Sequence, residues 1–200
     1  MLPEEYNQLY TNNPAVWENK EHDRMVFHYV SKYGEPKNLL GLGCGNGHTL
    51  KVFIDQWPDV AYTGLDFSQV AVDICTENIP TAEFVCIDVM DYKPSGKFEA
   101  ILLVGVAEHF DNPPEKLEYI HQKLLKSGGV LYMEVPNCMA YRSFRNKQEG
   151  FYRIELGTRQ LEWHYKRETW EQIILDAGFE IVERIKGPRL HNEFIWILTR

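Results

Sequence analysis

Short apolar runs alternate along this chain with segments whose apolar residues recur every three or four positions. The runs "KNLLGL", "VAYTGL", "AEFVCI", "FEAILLVGV" and "VLYMEVP" read as buried strands. Between them, "GHTLKVFIDQW" reads as a helix ending before Pro58, and "SQVAVDICTENI" as a helix with Ser68 as its N-cap. "PPEKLEYIHQKLLKSGG" opens on proline and closes on glycine, as helices do. Strand, loop and helix in repetition mean βαβ units and a doubly wound parallel sheet. Ahead of the first strand, Asn13-Pro14 reads as an N-cap and first helical position. The helix after it carries Val16, Trp17, Met25, Val26, Phe27, Tyr29 and Val30 and stops near Gly34, before Pro36. After Pro136 the alternation breaks, and residues 137–160 show no clean period. "RETWEQIILDAG" is then a helix stopped by Gly178, and "FEIVERIKG" and "EFIWILTR" are two strands expected to pair as an antiparallel hairpin at the sheet edge. The expected fold is therefore α/β: a Rossmann-like, mostly parallel sheet of seven strands with an antiparallel C-terminal edge. A single domain over residues 1–200 is expected, with 1–34 as an N-terminal helical cover and 137–165 as a cover on the substrate side.

Composition narrows the class. The 200 residues carry a formal net charge of −8, which argues against a general nucleic-acid partner. No apolar run is long enough to span a membrane, and "MLPEEYNQLY" lacks the pattern of a secretory signal. Cys44, Cys75, Cys86 and Cys138 are scattered without a CxxC pair, so neither a disulfide framework nor a metal site is expected. A reducing cytoplasm fits best.

The stretch "NLLGLGCGNGHTL" carries Gly41, Gly43, Gly45 and Gly47 at alternate positions directly after the first strand. Open α/β sheets bind ligands beyond the carboxyl ends of their strands, and glycines let the backbone come close. The dinucleotide fingerprint G-x-G-x-x-G fails in both registers, where it meets Asn46 or His48, and no G-K-S/T follows for a phosphate loop. What remains is G-x-G-x-G. Asp66 ends the second strand and can accept hydrogen bonds from ribose hydroxyls; Asp88 ends the third and can accept from an exocyclic adenine amine. Glycine, acid and acid at three consecutive strand tips point to a nucleoside ligand.

"NLLGLGCGNG", "YTGLDFS", "FVCIDVMD", "FEAILLVGVAEHF" and "LLKSGGVLYMEVPN" resemble, in order and spacing, the successive motifs of class I S-adenosylmethionine-dependent methyltransferases. The resemblance covers residues 37–137 and extends through "AGFEIVERI". It implies S-adenosylmethionine as cofactor and S-adenosylhomocysteine as product. It also implies that Gly43, Cys44, Gly45 and Gly47 cradle the methionine part, Asp66 holds the ribose, Phe67 flanks the adenine and Asp88 and Val89 meet it. Val104 to Val106 would line the cofactor floor. Gly41 departs from the pattern, since relatives carry Asp or Glu there to hold the cofactor's amino group. Loop carbonyls can take over that role, or an acid of the cover such as Glu18 or Glu21, or cofactor affinity is lowered.

Methyl transfer needs alignment and exclusion of water more than a catalytic signature, with a general base for some nucleophiles. His109, after the fourth strand, and His164, in the cover, are the candidate bases. His191 reads as structural. Arg24 is placed to meet the methionyl carboxylate, and Tyr6, Tyr10 and Trp17 to cap the cofactor, with Trp17 alternatively in the core. Residues 141–167 interleave Arg142, Arg145, Lys147, Arg153, Arg159, Lys166 and Arg167 with aromatic residues, which suggests an anionic acceptor. The proline pair of amino-methylating DNA enzymes is missing from "VGVAEHF", and the "NPP" at 112–114 reads as the start of a helix. The expected activity is methylation of a small molecule at oxygen or nitrogen, without nucleic-acid or membrane partners. A non-catalytic adenosyl-binding regulatory module is the alternative, and an NAD(P)-linked oxidoreductase a weaker one.

Overall fold

The computed structural model describes residues 3–137, 148–155, 159–185 and 193–200. The chain divides into two compact units, residues 2–102 and 103–200. In the first, helices α1 (Pro3–Asn12) and α2 (Lys20–Ser31) precede β1 (Asn38–Leu42), α3 (His48–Gln56), β2 (Ala61–Asp66), α4 (Gln69–Asn78), β3 (Glu83–Cys86) and the start of β4 (Phe98–Val104). β1 and β2 run parallel with Leu40 opposite Thr63, and β2 and β3 run parallel with Leu65 opposite Val85. Leu39, Leu40, Phe53 and Leu65 fill this unit's core.

The helix expected to start at Asn13-Pro14 starts later, at Lys20, and a separate helix, α1, precedes the Asn13-Pro14 pair. α1 ends at Asn12, because a residue before proline disfavours the helical region and Pro14 has no N–H to continue the ladder. The cap that starts α2 is Asn19, whose side-chain oxygen accepts from His22 N at 3.2 Å. Trp17 lies between the helices with φ 72° and is 52% exposed, so it is not a core residue. Ser68 does cap α4, accepting from Ala71 N at 3.2 Å. Its hydroxyl donates to Asn7 Oδ1 at 2.7 Å, and Val70 N donates to the same oxygen at 3.3 Å, so α1 is fastened to the start of α4.

The second unit holds the end of β4, a 3₁₀ turn (Ala107–His109), α5 (Pro113–Tyr119), β5 (Leu125–Pro136), β6 (Gly150–Glu155), β7 (Arg159–His164), α6 (Arg167–Asp176), β8 (Glu180–Ile185) and β9 (Glu193–Thr199). The helix expected over 113–129 is shorter: α5 passes into a π-turn at Ile120–Leu124, and β5 starts at Leu125. The C-terminal residue competes for this backbone, with Arg200 Nη1 donating to Leu125 O and Gly128 N donating to Arg200 O, both at 3.1 Å. β9 lies antiparallel between β5 and the edge strand β8, and its consecutive buried residues Phe194 to Leu198 form the centre of the unit with Trp170 and Ile174. Each large side chain buried this way contributes roughly 1.5–3 kcal/mol relative to exposure.

The main sheet has seven strands in the order β3-β2-β1-β4-β5-β9-β8, mostly parallel with antiparallel C-terminal strands. β6 and β7 form a separate two-stranded antiparallel sheet, with β6 inside the stretch that shows no period in the sequence and β7 starting at its end. Among the described residues, no helix is long and apolar enough to cross a membrane.

Removing the Ser68 hydroxyl costs both the α4 cap and the link to α1. Ser68→Ala is expected to lower the unfolding free energy by roughly 1–2 kcal/mol, measured by urea denaturation.

Candidate active site

Three alternate glycines, Gly43 (φ 60°), Gly45 (φ 56°) and Gly47 (φ 79°), adopt left-handed backbone between β1 and α3. This is the physical meaning of the G-x-G-x-G register: each odd position turns the chain in a way that a side chain would resist. The turn is held from several sides. Cys44 N donates to Leu65 O at 2.9 Å, and Gly47 N donates to Cys44 O at 3.0 Å. Gly45 N donates to Asp66 Oδ2 at 2.9 Å, and the Cys75 thiol donates to Gly45 O at 3.1 Å. A Cβ on Gly45 would stand 2.7 Å from the Tyr10 hydroxyl, so Tyr10 lies directly over the loop. Asn46 Nδ2 donates to Pro14 O at 2.7 Å and anchors the loop tip to the segment between α1 and α2.

Asp66 is buried at the tip of β2. Burial pushes its carboxyl above the usual range, and the N–H groups of Ser68, Gly45 and Phe67 pull it part of the way back. A carboxylate offers about four acceptor positions, so capacity for a further donor remains. Phe67 meets Tyr6 edge to face at 4.7 Å between ring centroids, and Ile87 N donates to Asp66 O at 2.9 Å, which brings the ends of β2 and β3 together. Val89 is buried nearby in sequence, whereas Asp88 is exposed and spends Oδ1 on its own turn, accepting from Met90 N at 2.9 Å.

Gly41 has a structural explanation. A Cβ there would lie 3.0 Å from Leu50 Cδ1, so Leu50 of α3 takes the space that an acid at this position would need. Glu18 and Glu21 are exposed, and Glu18 faces Lys20 at 4.0 Å. The buried acid of α2 is Asp23, 1% exposed, which accepts from Thr49 Oγ1 and meets His48 Nδ1, both at 2.8 Å. Burial opposes its charge, but hydrogen bonds from His22, His48 and Thr49 outweigh that and hold the carboxyl well below its usual range. Arg24 is exposed beside it on α2.

In residues 103–200, Val104 is half-buried at the end of β4, and Gly105 N donates to Glu134 O at 2.9 Å. Glu108 follows in the 3₁₀ turn, fully enclosed, and burial pushes its carboxyl well above the usual range with the charges of Glu162 and Glu134 adding to the shift. His109 Nε2 lies 3.7 Å from Glu108 Oε1, and His164 Nε2 lies 3.8 Å from Glu162 Oε2. Each candidate base thus lies beside a buried acid. Trp163 Nε1 donates to Phe110 O at 2.8 Å and fastens β7 to this turn.

In residues 2–102, Gly43, Cys44, Gly45, Gly47, Asp66 and Phe67 come together as expected, with Tyr6 and Tyr10 against them. Trp17 is not buried with them. Asn7, Asp23 and Cys75 are additions, and so are Glu134 and Glu162 in the second unit. Asp23 was legible as an acid on the stripe formed with Val26 and Val30, and Glu134 as an acid inside the apolar run "VLYMEVP". His191, Cys138, Arg142, Arg145 and Lys147 lie outside the described residues.

A family profile described as a methyltransferase domain matches residues 19–184, and the chain belongs to that family. A trans-aconitate 2-methyltransferase of Azoarcus sp. (strain BH72) is 26% identical over 76% of this chain and 68% of its own length. A malonyl-[acyl-carrier protein] O-methyltransferase of Acetivibrio thermocellus is 27% identical over 47% of this chain, a match that spans about a third of that relative (34%). Among solved structures, a 1,6-didemethyltoxoflavin-N1-methyltransferase of Burkholderia thailandensis superposes with a TM-score of 0.78 at 17% identity, covering 99% of this chain and 86% of that one. The family is that of the class I S-adenosylmethionine-dependent methyltransferases, which sets aside both the non-catalytic binding module and the NAD(P)-linked oxidoreductase.

Two variants probe this geometry. Gly41→Asp forces Leu50 aside and is expected to lower the unfolding free energy by about 1–3 kcal/mol, again read by urea denaturation. Asp23→Asn is expected to cost about 1–3 kcal/mol at neutral pH. Because the folded-state pKa lies below the usual value of 3.8, Asp23 stabilises fully above that pH and progressively less below it. The gap between wild type and Asp23→Asn should therefore narrow as the pH falls below about 4, as followed by thermal melts across an acid series.

Proposed function

We propose that this class I methyltransferase transfers the methyl group of S-adenosylmethionine to an oxygen or nitrogen of a small molecule. The observation that carries the reading is the left-handed glycine loop, tied to the buried Asp66 carboxylate through Gly45 N at 2.9 Å. Beside the loop stands a carboxylate with spare acceptor capacity. Asp66 accepts from the ribose hydroxyls, and the Tyr6–Phe67 pair flanks the adenine with Val89. Asp88 offers its second oxygen to the adenine amine. Gly43, Cys44, Gly45 and Gly47 present backbone to the methionine part, Arg24 meets its carboxylate, and Val104 lines the floor. When bound, the cofactor supplies a methyl group already activated on a sulfonium, and S-adenosylhomocysteine remains. The protein's part is to align the acceptor in line with that methyl and to exclude water. His109 and His164 are the candidate histidines for carrying the acceptor's proton away.

The small-molecule acceptor is supported by the names of the relatives, among them a trans-aconitate 2-methyltransferase and a malonyl-[acyl-carrier protein] O-methyltransferase. Of the basic residues behind the anionic acceptor suggested by residues 141–167, Arg142, Arg145 and Lys147 lie outside the described residues. The described, buried side chains of that stretch are Glu162 and His164.

Calorimetry should show binding of S-adenosylmethionine and S-adenosylhomocysteine and none of NAD. Asp66→Ala should weaken S-adenosylhomocysteine binding about 10- to 100-fold, the worth of a charged hydrogen bond. Absence of binding by either adenosyl compound to the wild type would sink the reading.

A further inference from the structure

The methyltransferase reading leaves the acceptor atom open, and the buried acids of residues 103–200 bear on it. Glu108 is 3% exposed, and its Oε2 has no hydrogen-bond partner among the described residues. The charges acting on it are those of Glu162 on β7 and Glu134 on β5, both buried. Tyr132 donates to Glu134 Oε2 at 2.8 Å. His164, 1% exposed, shares a face of β7 with Glu162, and its Nε2 lies 3.8 Å from Glu162 Oε2. His109 Nε2 lies 3.7 Å from Glu108 Oε1 and is partly exposed.

A buried carboxyl oxygen without a donor is costly unless a ligand brings one. An anionic acceptor would add a further negative charge to three clustered acids. An ammonium brings the opposite charge and several N–H donors at once. We propose that Glu108, backed by Glu134 and Glu162, receives the protonated amine of the acceptor, so that this chain is an N-methyltransferase acting on a small amine. This rests on the methyltransferase reading above.

The step balances without another reactant. The acceptor's ammonium gives a proton to Glu108 Oε2 and becomes a neutral amine. Its lone pair forms the nitrogen–carbon bond as the carbon–sulfur bond breaks, and that electron pair stays on sulfur. The products are a methylammonium and S-adenosylhomocysteine, and the proton on Glu108 leaves to solvent past His109. Burial among like charges raises the proton affinity of Glu108, which suits it to this exchange.

The test supplies the full chain with methyl-labelled S-adenosylmethionine and a small-molecule extract from bacterial cells, then separates labelled products by ion exchange. Label is expected in a cationic product that survives mild alkali. Label in an alkali-labile ester or a neutral ether would overturn the proposal. With the amine so identified, Glu108→Gln should lower kcat/KM about a hundredfold, while S-adenosylhomocysteine affinity and melting temperature stay at wild-type values. Glu108→Asp should recover part of the loss. Should Glu108→Gln unfold, Glu162→Gln is measured in its place and should raise KM for the amine. Full turnover in a folded Glu108→Gln variant overturns the role of Glu108. Loss of adenosyl binding in the wild type would count against the methyltransferase reading itself and shows separately in the calorimetry.

Discussion

The hydrogen bond from Gly45 N to Asp66 Oδ2, 2.9 Å long, holds the glycine loop of the first unit to the tip of β2. A loop of alternate left-handed glycines has no reason of its own to stay in one shape, because glycine loses more freedom on ordering than any other residue. The buried carboxylate at the tip of β2 supplies that reason. It also binds Ser68 N, and Ser68 in turn caps α4 and reaches Asn7 of α1. One side chain therefore connects the glycine loop, the start of α4 and, through Ser68, the N-terminal helix. The aromatic residues of α1 lie where they do because of this connection: Tyr6 against Phe67 and Tyr10 over Gly45.

The chain treats its buried acids in two ways. Asp23 and Asp66 are surrounded by donors, and they organise backbone and helix starts. Asp23 fixes α2 to the first residues of α3 through His48 and Thr49. Glu108, Glu134 and Glu162 are different. They are grouped, the charges of Glu134 and Glu162 raise the proton affinity of Glu108, and Glu108 keeps an oxygen without a described partner. Packing alone gives no reason to keep three acids there, since apolar residues of similar volume would stabilise the fold at least as well.

Much of the fold was legible because strands covered on both faces, whether parallel or antiparallel, read as apolar runs. "FEAILLVGV" and "EFIWILTR" announced their burial in this way, and Ser68 announced a cap by position. Asn13-Pro14 misled because the same dipeptide that can open a helix also closes one, and only Asn19 contacting His22 N distinguishes the two. β6 and β7 were missed because residues 137–160 mix basic, acidic and aromatic side chains without a period of two. They pair antiparallel, with Gly150 opposite His164.

By itself, the sequence determined the order of strands and helices, the G-x-G-x-G loop and the acids at the tips of β2 and β3, because these follow from local periodicity and residue chemistry. Only the tertiary structure decided what surrounds them. Leu50 fills the space beside Gly41, Asp23 is the buried acid of α2, and Glu108 faces Glu162 across more than fifty positions of chain. Such contacts depend on how distant elements meet, and the charge state of a buried group depends on its neighbours in space. Neither is written in the spacing of residues along the chain.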